Sequence, residues 1–241
     1  MSFANGTLDS SREVSFPMEK ESYERTIRAL QDQGVLKREE VVRAILSVPR
    51  WDFLPCEVKR HAHVDTPLPI GYGQTTSALH MTAMLCEYSG MRIGQKVLEV
   101  GGGCGYMSCV YAEIVAPKNA QHESWGHVWS VEIVQELSEQ AKENIKRAGY
   151  DDRVTMIHGD ASEGLSEHAP YDVIVATSAA PDVPKPMVDQ LASNGVLLIP
   201  VGGPGLYQEL IRIKRSNGKI EEKSIGGVAF VPMRGKCGWK G

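Results

Sequence analysis

Residues 96–106 read Lys-Val-Leu-Glu-Val-Gly-Gly-Gly-Cys-Gly-Tyr, and they indicate the fold more clearly than any other part of the chain. The stretch begins with a short apolar run containing β-branched residues, which is typical of a central strand in a parallel sheet. The glycines lack a Cβ atom, so the backbone can turn sharply and approach a ligand closely. Apolar residues from Met107 to Val115 then recur at helical spacing. Strand, glycine turn and helix together predict a nucleotide-type cradle at the carboxyl end of a strand.

The spacing of the glycines distinguishes between two kinds of cradle. The dinucleotide fingerprint Gly-x-Gly-x-x-Gly would need a third glycine at position 106, where the chain has Tyr106. The glycines instead lie at Gly101, Gly103 and Gly105. That pattern is typical of S-adenosylmethionine-dependent methyltransferases. An ordinary strand-to-helix turn without a ligand is the alternative.

Two acidic residues favour the cofactor hypothesis. Glu99 lies two residues before Gly101, where methyltransferases of this class often carry an acid. Glu132 ends the next apolar run, and a carboxylate there can accept hydrogen bonds from both hydroxyl groups of a ribose. The polar residues 117–126 predict a loop insertion that accounts for the long spacing between turn and acid. The alternative for Glu132 is a solvated acid at a strand end.

Composition restricts the possible partners. The 241 residues carry a formal net charge of -4, which gives no electrostatic argument for nucleic-acid binding. The sequence has no apolar run long enough for a transmembrane helix and no signal-peptide core, so no membrane partner is expected. The five cysteines are odd in number and form no C-x-x-C pair, which fits free thiols in a reducing cytoplasm. The histidines show no ligand spacing either, so no metal site is expected. Arg234, Lys236 and Lys240 are expected to form a solvated basic tail.

The segment before the glycine turn is predicted to contain two helices and a long loop. Residues 1–17 are polar and patternless, and we expect them to be mobile. Helical spacing predicts one helix that ends near Gly34 and another that ends before Pro49. As an extension in front of the first sheet strand, this pair can lie over the ligand face. Residues 50–76, rich in proline, glycine and hydroxyl groups, predict a functional loop.

Ser77 follows this loop and is predicted to open a helix that ends at Gly90. Its hydroxyl group could serve only as the helix cap, or it could also face an anionic ligand at the helix N-terminus. Farther along, helical spacing predicts helices that close near Gly149 and begin at Pro184. Apolar runs predict further strands at residues 153–157, 171–177, 195–202, 206–213, 220–225 and 228–231.

Two segments resemble a known enzyme family. They read Asp-Thr-Pro-Leu-Pro-Ile-Gly-Tyr-Gly-Gln-Thr-Thr-Ser-Ala-Leu-His-Met at 65–81 and Val-Leu-Glu-Val-Gly-Gly-Gly-Cys-Gly-Tyr at 97–106. These segments are similar to the protein-L-isoaspartate (D-aspartate) O-methyltransferase family, for which Gly-Tyr-Gly-Gln-Thr-x-Ser is close to a signature. The resemblance extends from the N-terminal helices to near the C-terminus.

The resemblance implies a fold and a domain organisation. The expected fold is α/β and Rossmann-like, with a mostly parallel central sheet, helices on both faces, an N-terminal helical extension and C-terminal antiparallel strands. We expect one methyltransferase domain over residues 1–241. Within it, residues 18–76 would form the helices and the active-site loop, and residues 77–241 the cofactor-binding core and the C-terminal strands.

The resemblance also implies a reaction. A methyl group would pass from S-adenosyl-L-methionine to the α-carboxylate of L-isoaspartyl residues in damaged proteins and peptides, and D-aspartyl residues are a further candidate acceptor. S-adenosyl-L-homocysteine would be the product of the cofactor. The methyl ester would lead through a succinimide to partial restoration of aspartate. The enzyme is expected to act as a monomer.

Individual residues acquire roles from the same resemblance. Ser77 would be the catalytic residue and would orient the substrate carboxylate without acting as a nucleophile. Thr76, Ser77, Val231 and Pro232 would contact the substrate. Glu132 would bind the ribose, and Asp160 with Ala161 the adenine. The complete set expected around the cofactor is Gln74, Thr75, Thr76, Ser77, His80, Glu99, Gly101, Gly102, Gly103, Gly105, Glu132, Asp160 and Ala161.

The chain departs from the family pattern at two positions. Leu79 replaces a proline that would stiffen the first helical turn, so the active-site loop is expected to be looser. Ala161 replaces a glycine; it keeps the backbone N–H but tolerates a positive φ poorly. The alternative for Asp160 is a turn or a helix cap.

Two other functions stay open. One is a methyltransferase that shares the cradle but acts on a small molecule or another protein group, which predicts no Gly-Tyr-Gly-Gln-Thr-x-Ser loop. Amino-methyltransferases usually carry an Asn/Asp-Pro-Pro-Tyr motif at the strand end where this chain has Ser-Ala-Ala-Pro, residues 178–181. The other is a binding protein without turnover, which only Leu79 and Ala161 support.

Overall fold

The computed structural model describes residues 17–203 and 207–240. The strands are β1 Leu68–Gly71, β2 Gln74–Thr76, β3 Lys96–Val100, β4 His127–Glu132, β5 Val154–His158, β6 Tyr171–Ala176, β7 Leu191–Val201, β8 Gln208–Ser216 and β9 Lys219–Val228. The helices are α1 Pro17–Asp32, α2 Glu39–Ser47, α3 Cys56–Lys59, α4 Leu79–Ser89, α5 Tyr106–Val115, α6 Gln135–Arg147 and α7 Lys185–Asp189. Two expectations lie outside the described residues, namely the mobility of residues 1–16 and a strand start at residue 206.

A seven-stranded sheet forms the centre of the fold, in the order β5-β4-β3-β6-β7-β8-β9. The first five strands in this order are parallel to their neighbours, and β8 and β9 join in antiparallel pairing. β3 lies between β4 and β6, where Val100 pairs with both Val131 and Ala176. The predicted α/β fold with a mostly parallel sheet and C-terminal antiparallel strands is confirmed.

Side chains alternate between the two faces of the sheet and enter two apolar clusters. Val97 packs in a large cluster that includes residues of α1, α2, α4, α5 and α6. Its neighbour Leu98 packs in a smaller cluster with Met187 of α7. Helices therefore cover both faces, and in the described ranges most of them lie on one face. None of these helices combines the length and the apolar composition needed to span a membrane.

The predicted long loop at residues 50–76 contains regular structure. Arg50–Phe53 forms a 3₁₀ turn, α3 follows it, and β1 and β2 pair as an antiparallel hairpin. The hairpin turn uses positive φ angles of 54° at Tyr72 and 70° at Gly73. The segment is therefore more regular than the long loop that the sequence predicts. Strands of three and four residues are too short to show a recognisable alternation of apolar and polar residues.

The helix after the hairpin begins later than the sequence predicts. α4 starts at Leu79, and its N-cap residue is Ala78, which makes no capping hydrogen bond through its side chain. Asp65 instead accepts the backbone N–H of His80 at 2.8 Å. The prediction that Ser77 caps this helix is therefore wrong, and its hydroxyl group is left for another role.

The predicted strand at residues 228–231 is not a separate strand. β9 continues to Val228, and the chain then leaves the sheet and passes over the carboxyl ends of the parallel strands. Pro232 makes an isolated bridge to Ala179 there, and the Ala179 N–H donates to the Val231 carbonyl at 2.8 Å. Residues 229–240 are called the crossing segment below.

Candidate active site

Three adjoining cavities lie at the carboxyl ends of the parallel strands. The first holds about 580 Å³ of space, part of it open to solvent, between the glycine turn and the loops after β4 and β5. The second holds about 1050 Å³ and is bordered by Ser77, His80 and Phe230. The third, of about 300 Å³, lies between the glycine turn and Ser77. Thr75 and Thr177 border all three cavities. No described residue of α1 or α2 borders any of them.

The glycine turn depends on missing side chains. Gly101, Gly103 and Gly105 have positive φ angles of 98°, 55° and 85°. A Cβ atom on Gly101 would lie 2.6 Å from the Thr177 hydroxyl oxygen. Gly101 and Gly103 border the first cavity. Gly105 borders none of the three; a Cβ there would lie 3.0 Å from Ile145 of α6, so its role is to let the helices pack.

Glu132 joins the end of β4 to the glycine turn. Its side chain is 5 % exposed; Oε2 accepts the Gly103 N–H at 2.8 Å and Oε1 the Val134 N–H at 2.9 Å. The alternative of a solvated strand-end acid is therefore wrong. A carboxylate offers about four acceptor positions, so two remain for hydroxyl groups in the first cavity, which Glu132 borders.

Glu99 lies beneath the glycine turn, separated from it by Ser130, and it borders none of the three cavities. Its fully buried carboxylate accepts hydrogen bonds from the hydroxyl groups of Ser108 and Ser130, the latter at 2.6 Å. Burial raises the pKa of Glu99 to about 7, although the two hydroxyl groups lower it. Above this layer lies Gly102, where a Cβ atom would come within 2.3 Å of the Ser130 oxygen. The structure therefore separates Glu99 from the space that a cofactor would occupy.

Asp160 follows β5 and borders the first cavity together with Ala161. Its carboxylate accepts the backbone N–H groups of Ser162 at 2.8 Å and Lys236 at 2.9 Å. Partial burial acts to raise the pKa of Asp160, but these donors outweigh it, and the pKa lies below its usual value. The Ser162 bond is the turn role that the sequence left open. Ala161 is buried and its φ is not positive, so the replacement of glycine causes no backbone strain.

The crossing segment closes over the same loop. Lys236 forms an ion pair with Glu163 at 2.9 Å, and the Cys237 N–H donates to the Ser162 hydroxyl at 2.9 Å. The Trp239 ring N–H donates to the Ala179 carbonyl at 3.0 Å. The side chains of Arg234, Lys236 and Lys240 are exposed, as the sequence predicts, but the backbone of this segment is hydrogen-bonded to the rest of the protein. Several of these hydrogen bonds come from backbone N–H groups, which every residue except proline has, so the sequence could not predict them.

The hairpin and α4 bring the predicted substrate residues to the junction of the cavities. Thr76 and Ser77 border the small cavity, and Ser77 and His80 the large one. Gln74 borders the first cavity. His80 Nδ1 lies 2.9 Å from a carboxylate oxygen of Asp65, which orients the ring.

The crossing segment contributes the remaining predicted contacts. Val231 borders the first and second cavities, and Pro232 the first. Sequence reasoning missed several lining residues on other elements. The missed residues are Ile70, Ile133, Thr177, Ser178 and Tyr207. Thr177 and Ser178 could have been predicted, because they directly follow β6 and side chains after parallel strands meet at one edge of the sheet.

The fold and the site together define a class of protein. Positive-φ glycines after β3, an acid at the end of β4 and another acid after β5 meet at one cavity, at the carboxyl edge of a parallel sheet. This arrangement is that of an S-adenosylmethionine-dependent methyltransferase. A family model described as protein-L-isoaspartate(D-aspartate) O-methyltransferase (PCMT) matches residues 21–238. The chain belongs to this family.

Individual relatives cover nearly the whole chain. A protein-L-isoaspartate O-methyltransferase of Hyperthermus butylicus is 48% identical over 221 residues, which is 92% of each chain. One from Pyrococcus horikoshii is 47% identical over 92% of this chain and 98% of its own. A Plasmodium falciparum protein-L-isoaspartate O-methyltransferase, crystallised with S-adenosyl-L-homocysteine, superposes with a TM-score of 0.77 at 26% identity, covering 88% of this chain and 98% of that one.

Replacement of Glu132 is expected to weaken cofactor binding. Glu132→Ala removes a buried acceptor, so the Kd for S-adenosyl-L-homocysteine should rise by roughly 5- to 150-fold, equivalent to about 1–3 kcal/mol. Titration calorimetry measures this without turnover. Glu139→Ala is the matched control, since Glu139 is an exposed acid on α6 that bonds only Gln135 among the described residues. A Kd within twofold of wild type in Glu132→Ala would remove this residue from the ribose site.

Glu99 is expected to make stability fall as the pH rises. Its folded pKa of about 7 lies above its ordinary value of 4.5, so the folded state holds the proton more tightly than the unfolded state. The stabilisation from protonation is complete below about pH 4.5 and is lost as the pH rises through 7; it is on the order of 3 kcal/mol. The unfolding free energy of Glu99→Gln, measured by urea denaturation, should lack this slope. Parallel curves for wild type and variant would contradict the assignment.

Proposed function

We propose that this protein is a repair methyltransferase that acts on the α-carboxylate of L-isoaspartyl residues in damaged proteins and peptides. The observation that carries the proposal is the position of Ser77, which borders both the small cavity beside the glycine turn and the large open cavity. A residue at this junction can contact an acceptor that enters from one side and a donor held on the other. Membership in the family supports the same acceptor.

The residues around the first cavity suit S-adenosyl-L-methionine. The side-chain-free surfaces of Gly101 and Gly103 would accommodate the methionine part, and Glu132 has two acceptor positions left for the ribose. Asp160 and Ala161 border the far part of the cavity, where the adenine would lie. When bound, the cofactor supplies an electrophilic methyl group on a sulfonium, and S-adenosyl-L-homocysteine is released.

The large cavity suits a peptide in an extended conformation. It is open, and its walls include the apolar side chains of Met81, Val228 and Phe230. Ser77 and His80 provide polar groups on its border. A peptide lying along this wall would direct an isoaspartyl carboxylate towards Ser77 and leave its flanking residues near the solvent. We therefore expect the enzyme to accept isoaspartyl residues within many different sequences.

The chemical work of this chain is orientation and exclusion of water. A carboxylate is already ionised at neutral pH, so the reaction needs no general base. The Ser77 hydroxyl would donate a hydrogen bond to one carboxylate oxygen and thereby orient the other towards the methyl donor. Thr75 and Thr76 would border the reacting groups and limit the entry of water. The resulting methyl ester would close to a succinimide, whose hydrolysis restores part of the aspartate.

The two departures from the family pattern leave this proposal intact. Leu79 is fully buried in the first turn of α4, so packing replaces the stiffness of a proline. Ala161 adopts an ordinary backbone conformation. The non-catalytic alternative therefore loses the two observations that supported it. Since one copy of the chain assembles the site, we propose that the enzyme acts as a monomer.

A pair of peptides tests the proposed function. The peptides are identical except for isoaspartate or aspartate at one position, and they are incubated with S-adenosyl-L-methionine labelled in the methyl group. Base-labile label on the isoaspartyl peptide alone is the expected result. Label on neither peptide, in protein that binds S-adenosyl-L-homocysteine, would refute the proposal and favour a different acceptor.

Removal of the Ser77 hydroxyl tests the site. Ser77→Ala should lower kcat/KM for the isoaspartyl peptide by roughly 10- to 150-fold, because a hydrogen bond to a charged group is lost. Ser77→Thr keeps a hydroxyl group and should recover part of the rate. Cofactor affinity should stay within twofold in both variants, and Ser47→Ala, at the exposed end of α2, is the control. Wild-type turnover by Ser77→Ala would exclude the role given to Ser77.

A further inference from the structure

We propose that Arg50 is a positioning residue for the carboxylate acceptor, because its buried guanidinium holds the backbone of Ser77 and provides a positive charge beneath it. This inference rests on the proposed function, since it assumes an anionic acceptor at Ser77. Arg50 lies within the family match at residues 21–238 but outside the segments 65–81 and 97–106 that carry the sequence resemblance. Its role follows from its contacts alone.

The guanidinium of Arg50 binds four backbone carbonyl groups. Arg50 is 0 % exposed, in the 3₁₀ turn after α2. One terminal nitrogen donates to the carbonyls of Ala62 at 3.2 Å and Val64 at 3.1 Å. The other donates to Thr66 at 2.9 Å and Ser77 at 2.7 Å. A single side chain therefore connects residues 62–66, which precede the hairpin, to Ser77, which follows it.

The charge of Arg50 has no direct partner. Among the residues that the structure describes, no carboxylate forms a salt bridge with it. Burial lowers the pKa of Arg50, but a guanidinium stays protonated at neutral pH. Asp65 is the acid that acts on it electrostatically, and this carboxylate already accepts from His80. A buried cation without an ion-pair partner is unfavourable and therefore calls for a physical reason.

The other titratable groups around Arg50 stay neutral. Burial raises the pKa of Tyr23 to about 12, and burial also raises the pKa values of Tyr106 and Cys104. The Tyr23 and Tyr106 hydroxyl groups bond each other at 2.9 Å. Few negative charges of the protein therefore compensate the positive potential of Arg50. Ser77 lies between this charge and the cavities. An anion that arrives at Ser77 from solvent would compensate it across a medium of low dielectric constant.

Arginine suits both parts of this role, whereas lysine suits one. A guanidinium has five N–H donors in a rigid fork and can bind four carbonyls, but an ammonium is a compact point charge with three donors. Arg50→Lys therefore keeps the charge and loses the grip on the Ser77 backbone. Arg50→Met loses both. The two variants separate attraction of the acceptor from its orientation.

Arg153 offers a matched control. It is also buried, at 2 % exposure, and donates to the carbonyls of Ala116 and Gly149 at 2.8 Å. It borders none of the three cavities. Arg153→Met should lower the melting temperature and leave the kinetics for the isoaspartyl peptide within twofold.

The experiment compares an anionic and a neutral ligand of the same shape. The KM and kcat for an isoaspartyl peptide are measured beside the inhibition constant of its α-carboxamide analogue, which lacks the charge. Arg50→Met should raise the KM about tenfold or more and change the inhibition constant less than about threefold, since only the anion senses the lost charge. Arg50→Lys should keep the KM within about threefold and lower kcat about tenfold, because Ser77 is held less firmly.

Two results would overturn the role of Arg50. One is that Arg50→Met raises the KM of the peptide and the inhibition constant of the analogue by the same factor. The other is that Arg50→Lys leaves kcat unchanged. Where Arg50→Met does not fold, the lysine variant alone decides through its KM and kcat. Binding of S-adenosyl-L-homocysteine verifies that each variant is folded. Wild-type protein that leaves the isoaspartyl peptide unmethylated would refute the proposed function itself, which is a separate result.

Discussion

The site depends on the parallel pairing of β3 with β4 and β6. Because Val100 pairs with both Val131 and Ala176, the three strands end at one level. The loops that follow then start side by side, and backbone hydrogen bonds continue past the strands. The Gly101 N–H reaches the Val131 carbonyl at 2.8 Å, and the Thr177 N–H reaches Val100 at 3.0 Å. A shift of the β3–β4 register by one residue would move the glycine turn away from Glu132, whose carboxylate accepts the Gly103 N–H.

Glu99 and Glu132 lie near the glycine turn and have the same side chain, but their different surroundings give them different roles. Glu99 is fully buried, with both serine hydroxyls on one of its oxygens, and burial favours its protonated form. Glu132 is 5 % exposed, receives backbone N–H groups on both oxygens and borders the cavity. The first supports a backbone that has no side chains of its own. The second can still offer acceptor positions to a ligand.

Sequence patterns predicted those parts of the molecule whose residue types reflect their surroundings. The buried strands, the glycine turn and the acid at Glu132 are recognisable because burial, positive φ and charge each demand particular residues. The hairpin, the start of α4 and the hydrogen bonds of the crossing segment were missed for a shared reason. Their stability comes from short pairings and backbone N–H groups, as in the bond from Lys236 to Asp160, and such donors exist at almost every position. Arg50 carried no signal either, since its partners are carbonyl groups.

The crossing segment also affects the order in which the protein can mature. Its Lys236 N–H reaches Asp160, 76 positions earlier in the chain, so this bond can form only after that much more polypeptide has been made. A nascent chain that has emerged to residue 200 already contains the glycine turn, Glu132 and Ser77. It still lacks the cavity wall around Phe230 and the residues of the crossing segment that lie against Asp160. A ligand that binds only the closed cavity would therefore stabilise the finished fold and not a chain that lacks its C-terminal residues.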